Sequence, residues 1–233
     1  VRVARIARDR DTQLTPAEIA SEALRLFDGG EEPSIRRLAA ALSVAPSAIY
    51  HHFPSQARIV EAAVELVWLE STRDLLELLP EPFEAEPVEV LVSAGIATRR
   101  AFGRHPLLAR HVADAWTPSP ALAAVFALLA NLFERIGLSD DEAAAAFHAY
   151  GTFTIGGILF AAARANAGAQ APEAQALPYR PDYEASDRDR STAATRGAIE
   201  QVMDLAAVDP DRDEALFAAG LRRLVASFAP ASE

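Results

Sequence analysis

The 233-residue sequence contains no cysteine and no lysine, a single methionine and only 11 glycines. Without cysteine there is neither a disulfide framework nor a thiolate zinc site, so burial must hold the fold together. About half of the residues (51%) are hydrophobic, which makes a sizeable core available and excludes disorder as a description of the whole. Because lysine is absent, all 22 basic residues are arginines, set against 33 acids for a formal net charge of -11. Long β-branched runs are missing as well, and Ala and Leu dominate the apolar set; the sequence therefore predicts an all-α fold. No Gly-rich phosphate loop, Gly-x-Ser-x-Gly elbow or Glu-x-x-His pair is present, so a catalytic set is lacking and neither an enzyme nor a cofactor is expected. The Arg-rich, polar first residues do not read as a secretory leader, and the expected location is the cytoplasm.

Charge is also absent from Ala143 to Ala163, a stretch long enough to span a bilayer. Its Ala, Gly and Thr content contributes little insertion energy, His148 sits inside it, and Asp140, Asp141 and Glu142 crowd one end. It is read as a buried helix, with no membrane partner.

What is present is a row of helix signals. Thr15-Pro16-Ala17-Glu18 combines an N-cap, a proline at the first helical position and a capping-box glutamate, and predicts a helix to about Phe27, closed by Asp28-Gly29-Gly30. Ser34 caps a second helix in which Ile35, Leu38, Ala39 and Leu42 share one face, leaving Arg36, Arg37 and Ala40 outside. A break at Ser43 precedes a short helix over 45–52, and Phe53-Pro54-Ser55 opens a long one over 56–79. Further helices are predicted over 87–103, 105–115, 119–136 and 140–167, then a mobile connection over 169–190, and final helices over 191–206 and 211–228.

The second and third helices have the makings of a helix-turn-helix. Ala39 suits a close crossing, Leu38, Leu42, Val44 and Ile49 form the wedge, and the third helix exposes Ser47, Ala48, Tyr50 and His51. Ser47 can bond a base edge or phosphate, Ala48 can touch a thymine methyl, and Tyr50, His51 and His52 can donate to phosphate oxygens or bases. Residues 15–66, through "IASEALRLF", "RRLA", "LSV", "IYHHF" and the Pro-Ser cap before a long helix, resemble the N-terminal domain of the TetR family of transcriptional repressors. The C-terminal half, with "RHPLLARHV", a Gly-containing eighth helix and "LFAAGLRRLVASF", is similar to the tetracycline-repressor-like ligand-binding domains.

The resemblance implies that Arg36 reaches a base or phosphate, that Ser47, Ala48 and His51 face base edges, and that Tyr50 and His52 anchor the backbone, with Arg37 on the same exposed helix face. Ser43 stands where the family usually has Gly, and Gln56 where it usually has a phosphate-binding Lys. Three segments follow: an Arg-rich arm over 1–14 suited to the minor groove, a DNA-binding domain over 15–60, and a ligand-binding and dimerisation domain over 61–233. Residues 1–60 hold eight arginines against seven acids, leaving fourteen against twenty-six in the rest, so the negative charge lies away from the proposed DNA face.

The expected partners are a double-stranded operator, a small-molecule effector and a second copy of the chain. Trp68, Phe102, Trp116, Phe126 and Phe147 read individually as core and collectively as the wall of a pocket for a mostly apolar ligand, oriented by His105, His111, His148 or Thr152. His111 and Asp114 share a helix face at i, i+3, but without a third ligand no metal is expected. A homodimer is expected through Ala143, Ala146, Phe147, Tyr150, Thr154, Ile158 and Ala161 together with Leu216, Phe217, Leu221, Leu224, Val225 and Phe228. A helical carrier or enzyme with a vestigial helix-turn-helix is the alternative.

Overall fold

The structure is a computed structural model that describes residues 14–82, 84–113, 119–170 and 210–228. These residues form nine helices and no strand. Helix α1 (Pro16–Asp28) opens on the expected capping box, with the Glu18 N–H donating to Thr15 Oγ1 at 3.2 Å and the Thr15 N–H to Glu18 Oε2 at 2.9 Å. Ser34 caps α2 (Ile35–Leu42), α3 spans Pro46–His52, and Ser55 caps α4 (Gln56–Leu78). The body adds α5 (Pro87–Gly103), α6 (Pro106–Ala109), α7 (Pro120–Ile136), α8 (Asp140–Gln170) and α9 (Pro210–Ala226).

Helix α6 stops well short of the expected residue 115. His105 enters it at φ -125°, ψ 59°, and beyond Ala109 the backbone tightens into turns in which His111 N–H bonds Leu108 C=O (2.8 Å) and Val112 N–H bonds Ala109 C=O (3.1 Å). Helix α8 runs three residues past its expected end, into the predicted connection. The helix expected over 191–206, most of that connection and nearly all of the N-terminal arm lie outside the described residues.

Two hydrophobic cores stack along the molecule. The first runs without interruption from Ile19, Phe27, Leu38 and Ile49 in the head, through Ile59, Val64 and Trp68 of α4, to Phe102, Leu108, Leu122 and Ile158 in the body. The second gathers Val90, Leu91, Leu132, Phe133, Tyr150 and Leu221 at the far end. Helix α4 packs most extensively on α5 and also on α1 and α7, so one rigid rod joins head to body.

Helix α8 differs from the expectation of burial on most sides. Only one stripe, Ala146, Tyr150, Thr154, Ile158 and Ala162, is buried, because its neighbours α5, α6, α7 and α9 all lie on that side. The same fact corrects the expected dimer face: Ala146, Tyr150, Thr154 and Ile158, with Phe217, Leu221 and Val225, turn into the chain's own body. Leu216, also expected at that face, does point outward, as does Phe160, which is 71% exposed. By length and composition alone Asp140–Ala165 is sufficient to cross a membrane.

Candidate nucleic-acid interface and internal cavity

In the head, Leu38, Ala39, Leu42 and Ile49 are buried between α2 and α3, with Val44 half-buried beside them. Ser43 makes the turn at φ 57°, ψ 39°, a left-handed conformation that a side chain with a Cβ adopts at a cost. The wedge fixes which residues remain outside. Arg36, Ser47, Tyr50, His51 and Gln56 are exposed, while Ala48 and His52 are half-buried. The His51 and His52 rings meet edge to face at 5.3 Å. Arg37 is exposed but engaged, its Nη1 donating to Glu32 C=O at 2.9 Å and its Nε lying 3.2 Å from Glu31. The short side chains of α3 leave its backbone free to approach a groove closely, with a phenol and two imidazoles at its C-terminal end.

Behind this face, the corner between α5 and α6 grips both α1 and α4. His105 is buried, with Nδ1 2.6 Å from Asp28 Oδ1 at the end of α1 and Nε2 3.3 Å from Glu70 Oε2 on α4. Arg104 donates to Glu70 (2.9 Å) and Asp74 (2.8 Å), and Arg110 pairs with Glu32. Partial burial raises the Glu70 pKa, but hydrogen bonds from Arg104 and His105 outweigh it and hold the carboxyl below its ordinary range. His111 stacks at a tilt on Phe27, ring centroids 5.6 Å apart. His105 and His111 thus fasten body to head and do not line the cavity described next.

Between α4, α5, α7 and α8 lies a cavity of about 280 Å³ whose wall is mostly apolar. Trp68, Phe126 and Phe147 form part of that wall, the last two edge to face at 5.2 Å. Phe102 is fully buried behind Trp68, with ring centroids 5.1 Å apart, and supports the wall without facing the space. His148 and Thr152 are exposed and do not line this cavity; they line a more open depression that adjoins it across Phe147, Gly151 and Ile155. Trp116 and Asp114 lie outside the described residues. Besides the Trp68 indole, the polar side chains of the wall are Ser71, Thr72, Thr98, Tyr150 and Thr154, all hydroxyls and none anticipated from sequence as ligand contacts. Ser71 Oγ and Thr98 Oγ1 are 2.9 Å apart, Thr98 donates to Ala94 C=O (2.8 Å), Thr72 to Trp68 C=O (3.1 Å) and Tyr150 to Leu91 C=O (2.8 Å). Burial drives the Tyr150 pKa upward; the Thr154 hydroxyl, near but outside hydrogen-bond geometry, opposes this only weakly, so the phenol stays neutral.

Residues 18–63 match the family described as bacterial regulatory proteins, tetR family, and residues 79–227 match the tetracyclin repressor-like C-terminal domain. The chain belongs to the TetR family. It is a DNA-binding transcription regulator with a helix-turn-helix head and a ligand-binding helical body. Solved TetR-family structures share the fold. A possible TetR family transcriptional regulator from Streptomyces coelicolor A3(2) superposes with a TM-score of 0.69 at 22% identity, covering 91% of this chain and 98% of that one. Streptomyces coelicolor ActR in complex with actinorhodin gives 0.67 at 24% identity, covering 92% and 95%. Mycobacterium smegmatis BioQ gives 0.67 at 18% identity, covering 93% and 98%. No curated protein matches the chain. In TetR-family terms, the head match ends three residues beyond Val60, inside α4, and the first core passes through that junction without a break.

Proposed function

We propose that this TetR-family regulator is a repressor that binds a palindromic operator as a homodimer and leaves it when a small, mostly apolar effector fills the cavity. The observation that carries the reading is α4. The helix begins beside the recognition face at Gln56, shares the head core through Ile59 and Val64, and supplies Trp68, Ser71 and Leu75 to the cavity wall. A molecule pressing on that wall therefore acts on the rod that positions α3. Arg36, Ser47, Ala48 and His51 are assigned to base edges, Tyr50, His52 and Gln56 to the phosphate backbone, and Arg37 to the same face while tied to the α1–α2 loop. Trp68, Phe126 and Phe147 are assigned to the effector.

One helix-turn-helix reads too few bases for a specific site, and two-fold symmetry supplies the second half-site. The outward faces of α8 and α9, with Phe160 and Leu216, are the surface assigned to the dimer. Selection from random duplexes by the purified protein tests the reading. A palindrome with half-sites about one helical turn apart is the expected product, and failure to enrich any duplex sinks it. Light scattering on the same sample is expected to give twice the chain mass.

A further inference from the structure

The hydroxyls around the cavity constrain what can enter it. Thr98 has one proton, and it goes to Ala94 C=O; Ser71, 2.9 Å from Thr98 Oγ1, must therefore be the donor in that contact. Thr72 and Tyr150 likewise direct their protons to the Trp68 and Leu91 carbonyls. Four of the five hydroxyls have thus committed their protons to the protein, and what remains on Ser71, Thr72 and Tyr150 is oxygen lone pairs that meet no donor in hydrogen-bond geometry among the described residues. Thr154, 5% exposed, holds a hydroxyl oxygen with no hydrogen-bond partner among the described residues. Among the described residues, no Arg, His, Asp or Glu lines the space. A carboxylate or phosphate entering it would lose its water and meet no cation among the described residues, so burial there is strongly disfavoured. The volume of about 280 Å³ corresponds to about nine waters at their liquid share, and the walls are ring-shaped aromatics.

We infer that the cavity takes an uncharged, mostly apolar ring compound bearing at least one O–H or N–H donor, and discriminates against anions of the same shape. This deepens the effector reading of the cavity, but its test needs no DNA. Tryptophan fluorescence of the full-length protein, which has two tryptophans, is titrated at pH 7 with 2-naphthol, 2-methoxynaphthalene and 2-naphthoate. These probes share one ring system and differ in being a donor, an acceptor only, and an anion. The naphthol is expected to bind about threefold to tenfold more tightly than its methyl ether, the yield of one good hydrogen bond, and at least about tenfold more tightly than the naphthoate.

Gly151 supplies the control for location. It lines the cavity and also borders the depression that holds His148 and Thr152, and a Cβ built on it meets nothing within 4 Å, so Gly151→Leu fills space without forcing the backbone, while His148→Ala, which changes the depression alone, is expected to leave naphthol affinity unchanged. The Gly151→Leu variant is expected to keep or slightly raise its thermal midpoint and to lose naphthol affinity at least about tenfold. Naphthoate binding as tightly as naphthol, the ether matching the naphthol, no binding of the naphthol, or unchanged naphthol affinity in a folded Gly151→Leu would each overturn the inference. Duplex selection in the absence of any probe tests the regulator reading separately, so the two can fail independently.

Discussion

Ser43 carries a constraint that its neighbours do not share. It is the one non-glycine residue with positive φ among the described residues, and it closes α2 with its N–H directed to Ala39 and Ala40 carbonyls. Ser43→Gly is expected to raise the urea midpoint, by about 1 kcal/mol in stability, and Ser43→Val to lower it; equal midpoints for all three would show that the turn is not strained. The strain at this residue was legible through the family resemblance, in which Gly usually makes the turn. The partners of His105 were not, since Asp28 lies 77 residues away and Glu70 35 away, and no periodicity encodes such a meeting. Arg37 looks like Arg36 in sequence, and only the fold shows Glu31 and Glu32 holding it. For the proposed contacts, Arg36→Ala and Ser47→Ala are expected to change sequence preference, at about 1 to 3 kcal/mol per base contact. Tyr50→Phe and His52→Ala are expected to weaken selected and random duplexes alike. Gel shifts on both duplex types separate the two patterns, and a uniform loss for all four would mean that α3 lies differently in the groove.

Two glycines six residues apart on α8 have opposite roles. A Cβ at Gly151 meets open space, whereas one at Gly157 would lie 2.6 and 2.8 Å from carbons of the Phe217 ring on α9. Gly151→Ala is expected to stabilise by up to about 1 kcal/mol through helix propensity alone, and Gly157→Ala to destabilise by about 1 to 3 kcal/mol through overpacking. Thermal melts in which both shift the same way would contradict this packing of α9. The existence and length of α8 were legible from its acidic start and unbroken apolar content. Its orientation was not: in a run of Ala, Gly and Phe the two sides have similar hydropathy, so the pattern assigned Tyr150, Thr154 and Ile158 to a partner although α5, α7 and α9 cover them. The cavity's hydroxyls escaped notice for a related reason. Serine and threonine inside a helix read as neutral filler until the neighbouring helices show what they face.

At the scale of the whole molecule, the contacts between head and body are polar as well as apolar, and Glu70 at their centre makes stability depend on pH. Glu70, held below its ordinary value of 4.5 by Arg104 and His105, contributes stability that is present above that unfolded value and is lost as pH falls through the lower folded one. The difference in melting temperature between the wild type and Glu70→Gln is therefore expected to be largest near neutral pH and to close as pH falls below 4.5; a gap independent of pH would show that the carboxylate charge plays no part. These contacts make the head follow the body, and the proposed dimer converts that motion into a DNA signal. Successive major-groove faces repeat about every 34 to 36 Å, so a shift of α4 that moves each α3 by a few ångströms misplaces contacts in both half-sites. An effector need only bind the misfit state better. A hundredfold preference corresponds to about 2.7 kcal/mol of coupling, and linkage requires the operator to weaken effector binding by the same factor. Calorimetric titration of an effector into the free protein and into the protein on its selected duplex is expected to show that reciprocal loss. Equal affinities in the two titrations would mean that the cavity and the recognition helices, although joined by one helix and one core, are energetically separate.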